Sequence, residues 1–219
     1  MATNRLGWVL ALTATFVLVE VVGGYLSGSL ALLADAGHMA TDVAALTLAN
    51  IGARIAQRRA VAAHKFGNLR WEVLAALVNG LILVGMAVGI TLEALERLRD
   101  PQHVNAVLFG VVALAGLGVN LTALRLLHGH HHGDLNVRGA YLHIMGDLLG
   151  SVAAIIAAVV IYFTGWLPAD PLISTFISLL ILISAWRLIR ESATILLDRV
   201  PAHVALDEVE RRMLSVEGV

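Results

Sequence analysis

The chain has 219 residues, 58% of them hydrophobic and 14% charged, with a net charge of −1 and no cysteine. A globular domain is about 45–50% apolar and about 25% charged, so this composition excludes a soluble globular domain, a disordered chain and a coiled coil. Lack of cysteine excludes a disulfide scaffold, the near-neutral charge gives no case for nucleic acid, and a polytopic protein of the lipid bilayer remains.

At about 20 apolar residues per span, the chain has room for six transmembrane helices. The apolar runs predict them at about 7–27, 31–53, 72–95, 104–127, 138–163 and 171–189. The expected fold is an all-α six-helix transmembrane bundle over residues 1–192, with 193–219 beginning a cytoplasmic segment. The runs are continuous, without the period-two alternation of a membrane β-barrel. The first run keeps Glu20 inside it and has no A-x-A-like site, so it reads as a span and not as a signal peptide. Ser27-Gly28-Ser29 separates the first two spans. Leu167-Pro168-Ala169-Asp170-Pro171 separates the last two, where proline breaks the helix.

Orientation follows from the cations. Arg5, Arg54, Arg58, Arg59, Lys65, Arg70, Arg125, Arg138, Arg187, Arg190, Arg199, Arg211 and Arg212 fall on one side, and only Arg97 and Arg99 on the other. Both termini are therefore expected in the cytoplasm, as an even number of spans requires.

Two spans carry a His and an Asp together, at a cost of at least about 2.5–3.5 kcal/mol per charge at mid-bilayer. The second contains His38 and Asp42, and the fifth His143 and Asp147. Each pair is spaced i, i+4, so both side chains lie on one helix face. Two such helices facing one another present two imidazoles and two carboxylates to one point. Four N/O ligands suit tetrahedral Zn²⁺, and two carboxylates neutralise its charge. Lack of thiolate disfavours Cu(I), and imidazoles disfavour Mg²⁺ and Ca²⁺. The alternative for each residue alone is a buried polar contact between helices; the repeated spacing favours the metal.

At these residues the chain resembles the cation diffusion facilitator family, of the zinc-cobalt-cadmium resistance type. Leu26-Ser27-Gly28-Ser29-Leu30-Ala31-Leu32-Leu33-Ala34-Asp35-Ala36-Gly37-His38 with Asp42 is similar to its second-helix signature. Phe66-Gly67, Arg70, Glu72-Val73-Leu74-Ala75-Ala76-Leu77 and Asn79-Gly80 are similar to the start of its third helix. His143 with Asp147, Gly150-Ser151, and Trp166 with Ala169-Asp170-Pro171 match the fifth helix and the turn into the sixth. The resemblance implies a homodimeric exporter of Zn²⁺ from the cytoplasm in exchange for protons, sited in a bacterial inner membrane. It also implies that His at position 38 marks zinc selectivity, with Co²⁺ or Cd²⁺ as further cargo. The family's cytoplasmic α/β domain is represented here only by its first amphipathic helix, with Val204, Leu206, Val209, Met213 and Leu214 on the apolar face.

The ligand chemistry carries the coupling. Imidazole and carboxylate hold metal only when deprotonated, so metal and protons compete for His38, Asp42, His143 and Asp147. No Walker-type phosphate loop is present, so ATP is not the direct energy source. The H-E-x-x-H pattern and a Ser or Cys nucleophile with a partner base are also missing. A transporter is therefore expected, with no catalytic residues and no organic cofactor. The rival is a membrane-embedded zinc metalloenzyme, which would need an open coordination position. A second rival, haem between two histidines, leaves Asp42 and Asp147 unexplained.

His128, His130, His131 and His132 form a cytoplasmic His loop that reads either as an auxiliary zinc-capture site or as a solvated polar loop. Asp35, one turn before His38 and facing the same way, reads as a gate, a proton relay or, preferably, a helix-start residue near the interface. Glu20 and Asn120 read as interhelical hydrogen-bonding groups, and Gly85-x-x-x-Gly89 and Gly146-x-x-x-Gly150 as sites of close helix approach.

Overall fold

The computed structural model describes residues 2–58, 65–127, 135–197 and 211. Side chains are described for 11–45, 47, 73–125, 145–197 and 211. Six helices follow in order: α1 (Ala2–Ser27), α2 (Leu30–Arg58), α3 (Lys65–Arg99), α4 (Ala106–Leu127), α5 (Leu135–Thr164) and α6 (Ala169–Leu196). Each corresponds to one predicted span: five run past it at one or both ends, and α4 lies within the predicted 104–127. Helices are obligatory here, because lipid offers no partner for a bare N–H or C=O. Among the residues with described side chains, four stretches are apolar enough over enough length to cross a membrane: Val73–Arg99, Ala106–Arg125, Met145–Thr164 and Ala169–Leu196. The described part of α1, Ala11–Ser27, is a shorter apolar stretch. In α2 the polar groups Asp35, His38 and Asp42 interrupt the apolar run.

The helices pack chiefly as α3 on α6, α4 on α5 and α1 on α2, and α2 also meets α3 and α6. The protein core is rich in alanine, including Ala31, Ala34, Ala94, Ala157 and Ala185, all buried. Large apolar side chains such as Leu18, Leu81, Leu92, Val107, Phe163 and Leu179 lie exposed on the outside. This inversion is the signature of lipid as the surrounding solvent: small residues let backbones approach, and large ones face the acyl chains. Exposed Tyr25, Tyr162, Phe163 and Trp166 gather where α1 and α5 end, which marks one membrane interface.

Close approaches occur at other glycines than those expected. A Cβ at Gly37 would overlap Met86 Sδ of α3, and one at Gly80 would stand 2.7 Å from Ile189 Cγ1 of α6. Nothing of the described chain approaches Gly85, Gly89 or Gly146 within 4 Å, and Gly150 meets only Ile177 at 4.0 Å. Those two GxxxG patterns therefore mediate no tight packing among the described residues of one chain.

The three short connections, 28–29, 100–105 and 165–168, lie at one end of the bundle, here termed the turn end. Gly28 closes α1 with φ +73, and a Cβ there would stand 2.6 Å from the His103 carbonyl oxygen. Glycine is thus required on two counts, left-handed backbone and close approach. Asn105 caps α4 by accepting from Leu108 N–H at 3.1 Å, and its own N–H donates to Ser27 O at 2.8 Å. Pro168 precedes α6, and Pro171 sits in the first turn of that helix, where a missing N–H costs nothing.

Asp170 is the centre of the turn end. It accepts from Ser29 O–H at 2.6 Å, from Leu30 N–H at 2.8 Å and from Ala31 N–H at 3.2 Å, and its side chain is fully buried. Ser29 Oγ also accepts from Leu32 N–H at 3.3 Å. The first three N–H groups of α2 are therefore all satisfied, two of them by a carboxylate of another helix at the positive end of the α2 dipole. Arg97 of α3 donates to Gly28 O at 2.6 Å and to Glu93 at 2.8 Å, with Nη1 4.0 Å from Asp170.

Candidate metal centre

Residues of α2 and α5 build the site. His38 and Asp42 stand one turn apart on α2, with His38 Nε2 3.5 Å from Asp42 Oδ2. Asp147 of α5 reaches the same imidazole, Oδ1 to Nε2 at 3.7 Å. Three of the four residues expected from sequence are thus brought to one point. The fourth, His143, lies on α5 one turn before Asp147, and its side chain is outside the described residues. Among the described residues no group of three or more His, Asp or Glu side chains is set to hold a metal ion.

Local sequence explains the approach. Ala34, Ala36 and Gly37 keep the neighbourhood of His38 narrow, so α2 packs deeply and His38 is buried. Thr41 turns its hydroxyl back to His38 O at 2.7 Å, so it is satisfied within its own helix. On α5, Ser151 one turn beyond Asp147 accepts from Asn120 Nδ2 at 3.2 Å and fixes α5 against α4. Asn120 thus has the interhelical hydrogen-bonding role expected from its place in an apolar span.

A cavity of about 60 Å³ opens beside these groups, lined by Asp35, His38, Asp147, Ile177, Ile181 and Ser184 among others. Asp35 is 6% exposed in its wall, which corrects the expectation of an interfacial helix-start residue. Its place was legible in the spacing, because residues three apart on a helix share a face. Glu20 of α1 is 1% exposed and lies against Asp35. Gly116 of α4 leaves room for it, since a Cβ there would come 3.2 Å from Glu20 Oε1. No spacing or motif signals that α1 brings a carboxyl against Asp35. Exposure rises away from the turn end, from 10% for the His38 side chain to 23% for Asp42.

His128, His130, His131 and His132 lie outside the described residues, as does the tail from 198 except Arg211. His103 is exposed in the connection between α3 and α4.

The cation efflux transmembrane domain family matches residues 8–197. The zinc transporter ZitB of Escherichia coli (strain K12) is 51% identical over 211 residues, which cover 96% of this chain and 67% of that protein. The metal cation efflux system protein CzcD of Cupriavidus metallidurans is 45% identical over 210 residues, 96% of this chain and 66% of that protein. The cadmium, cobalt and zinc/H(+)-K(+) antiporter of Bacillus subtilis (strain 168) is 38% identical over 206 residues, 93% and 69% of the two chains. The chain thus spans about two thirds of the length of these relatives. A match across the whole helical bundle, with the paired His and Asp residues at its centre, makes this chain a member of the cation efflux, or cation diffusion facilitator, family.

Proposed function

We propose that the chain exports Zn²⁺ from the cytoplasm in exchange for protons, through an intramembrane site of His38, Asp42, His143 and Asp147. The observation that carries this reading is the meeting of one imidazole with carboxylates from two helices, at 3.5 and 3.7 Å, beside a buried cavity. A tetrahedron with bonds of about 2.0–2.2 Å has edges of about 3.3–3.6 Å between ligand atoms. One observed separation, 3.5 Å, lies within that range and the other, 3.7 Å, just above it, so a zinc ion fits between these groups with small adjustment. His143, four residues before Asp147 on the same helix, supplies the second imidazole.

Each ligand binds either a proton or the metal, so zinc binding expels protons and protons expel zinc. Both termini and the basic connections face the cytoplasm, and the turn end, with Arg97 and Arg99 alone, faces outward. Zinc loads from the cytoplasmic side and leaves through the turn end, where a more acidic exterior favours protonated ligands. Names of relatives support the cargo: zinc for ZitB, and cadmium, cobalt and zinc with H(+) for the Bacillus subtilis antiporter. Co²⁺ and Cd²⁺ are further candidates, a homodimer is the expected assembly, and no catalytic role is assigned. Asp147→Ala tests the site. Zinc flux into vesicles should fall by more than about 100-fold, beyond the 10–100-fold that loss of an outer-shell group costs, while the protein still inserts. Near-normal flux would remove Asp147 from the site.

A further inference from the structure

The bonding at the turn end exceeds what capping one helix requires. Ser29 alone satisfies an N–H of α2 by accepting from Leu32, as an ordinary N-cap does. Asp170 adds three bonds from the first turn of a different helix: Ser29 O–H at 2.6 Å, Leu30 N–H at 2.8 Å and Ala31 N–H at 3.2 Å. Arg97 of α3 approaches the same carboxylate at 4.0 Å and holds Gly28 O at 2.6 Å. Three helices therefore meet through one side chain. Around it Ser29, Leu30, Ala31, Ala169 and Ser174 are buried by protein alone, without any contribution from lipid. The metal cavity begins one to two turns further along the same two helices, at Asp35 and His38 of α2 and at Ile177 and Ile181 of α6. The layer tied by Asp170 is what separates that cavity from the turn end.

We propose that Asp170 is a positioning residue that latches the turn end of the transport path. By capping α2 from α6 it holds the cavity shut on that side while His38 and Asp42 load from the other, and the latch must open before metal can leave through the turn end. This rests on the transport reading and deepens it. A carboxylate suits the task because both oxygens accept: Oδ2 takes the Leu30 N–H, and Oδ1 takes the Ser29 O–H and the Ala31 N–H. An amide of the same shape turns one acceptor into a donor that faces another donor. Asp170→Asn therefore breaks the latch with little change of volume.

The native chain has no cysteine, so a single introduced thiol reports cleanly. Ile177 lies on α6 two turns beyond Asp170, lines the cavity and is 4% exposed. Ile177→Cys in proteoliposomes is treated with a membrane-impermeant thiol reagent from the turn-end face. Gln102→Cys, in the exposed connection between α3 and α4, reports orientation. Ile177→Cys alone should react slowly. Adding Asp170→Asn should speed the reaction by about 5- to 30-fold, the population shift that loss of one or two bonds produces. Ser29→Ala should act in the same direction by less. In zinc flux, Asp170→Asn should raise the half-saturating concentration on the loading side and keep the maximal rate, whereas a merely structural defect lowers the maximal rate alone. Equal labelling of Ile177→Cys with and without Asp170→Asn overturns the latch. Should Asp170→Asn fail to insert, unchanged labelling in Ser29→Ala overturns it equally. Labelling that depends on Asp170 in a chain with no zinc flux would support the latch and sink the transport reading.

Discussion

At the turn end, donors and acceptors are matched at hydrogen-bond length: Ser29 to Asp170 at 2.6 Å, Leu30 to Asp170 at 2.8 Å, Arg97 to Gly28 at 2.6 Å and Asn105 to Ser27 at 2.8 Å. In the metal cavity the facing groups stand further apart, with His38 3.5 Å from Asp42 and 3.7 Å from Asp147. Those separations exceed a good hydrogen bond and approach the edge of a zinc coordination tetrahedron. One region is tied at hydrogen-bond length, and in the other, one imidazole faces carboxylates of two helices at longer separations. Two regions sharing α2 and α6 can thus have opposite tasks: the first fixes where α2 begins, and the second uses what α2 carries.

Two substitutions separate these tasks. Asp147→Ala should abolish zinc flux and leave thermal stability close to that of the parent. Gly28→Ala should do the reverse. Forcing a side chain into the left-handed region at φ +73 against the His103 carbonyl costs about 1–3 kcal/mol, read as a lower melting temperature in detergent, with zinc binding by the purified protein retained. A Gly28→Ala variant of normal stability would break the comparison from one side. An Asp147→Ala variant that unfolds would break it from the other.

Selectivity sharpens the cavity's half of the contrast. His38→Asp replaces an imidazole by a third carboxylate, which is less selective for zinc. In competition transport the Zn/Cd preference should fall by about tenfold, the equivalent of ~1.4 kcal/mol. An unchanged ratio would show that position 38 does not set it. The smallest effect belongs to neither region. Replacing His128, His130, His131 and His132 with Ser should raise the half-saturating zinc concentration by about fivefold or less, roughly 1 kcal/mol, with the maximal rate kept. Loss of flux at saturating zinc would move that loop into the pathway.

Sequence revealed the membrane class, the number of helices and the positions of their breaks, because hydropathy, proline and glycine act locally. It also singled out His38, Asp42, His143 and Asp147, because ionisable pairs at helical spacing in apolar spans are costly; the structure brings His38, Asp42 and Asp147 together, and the His143 side chain lies outside the described residues. What it left hidden depends on which helices are neighbours. Asp170 was legible only as part of a turn motif, and Arg97 only as a charge on the minority side. Their joint grip on the start of α2 requires α3 and α6 to meet there. Glu20 was readable as polar and buried, but its approach to Asp35 depends on the packing of α1 against α2. The expected interfacial place of Asp35 failed for a related reason: the first turns of α2 are buried under α6 and the connection to α4, so the start of this helix is not where the protein meets water.

The central claim is exchange of zinc for protons at one shared site. Its most direct test uses vesicles that contain the purified chain with loading faces outward and an acidic lumen. Zinc added outside should enter while the lumen alkalinises. Collapsing the pH gradient with an ionophore should slow zinc entry, acidifying the loading side should inhibit it, and Asp147→Ala should abolish both fluxes together. Zinc entry that ignores the gradient and moves no protons would contradict exchange and leave a passive pathway for the ion.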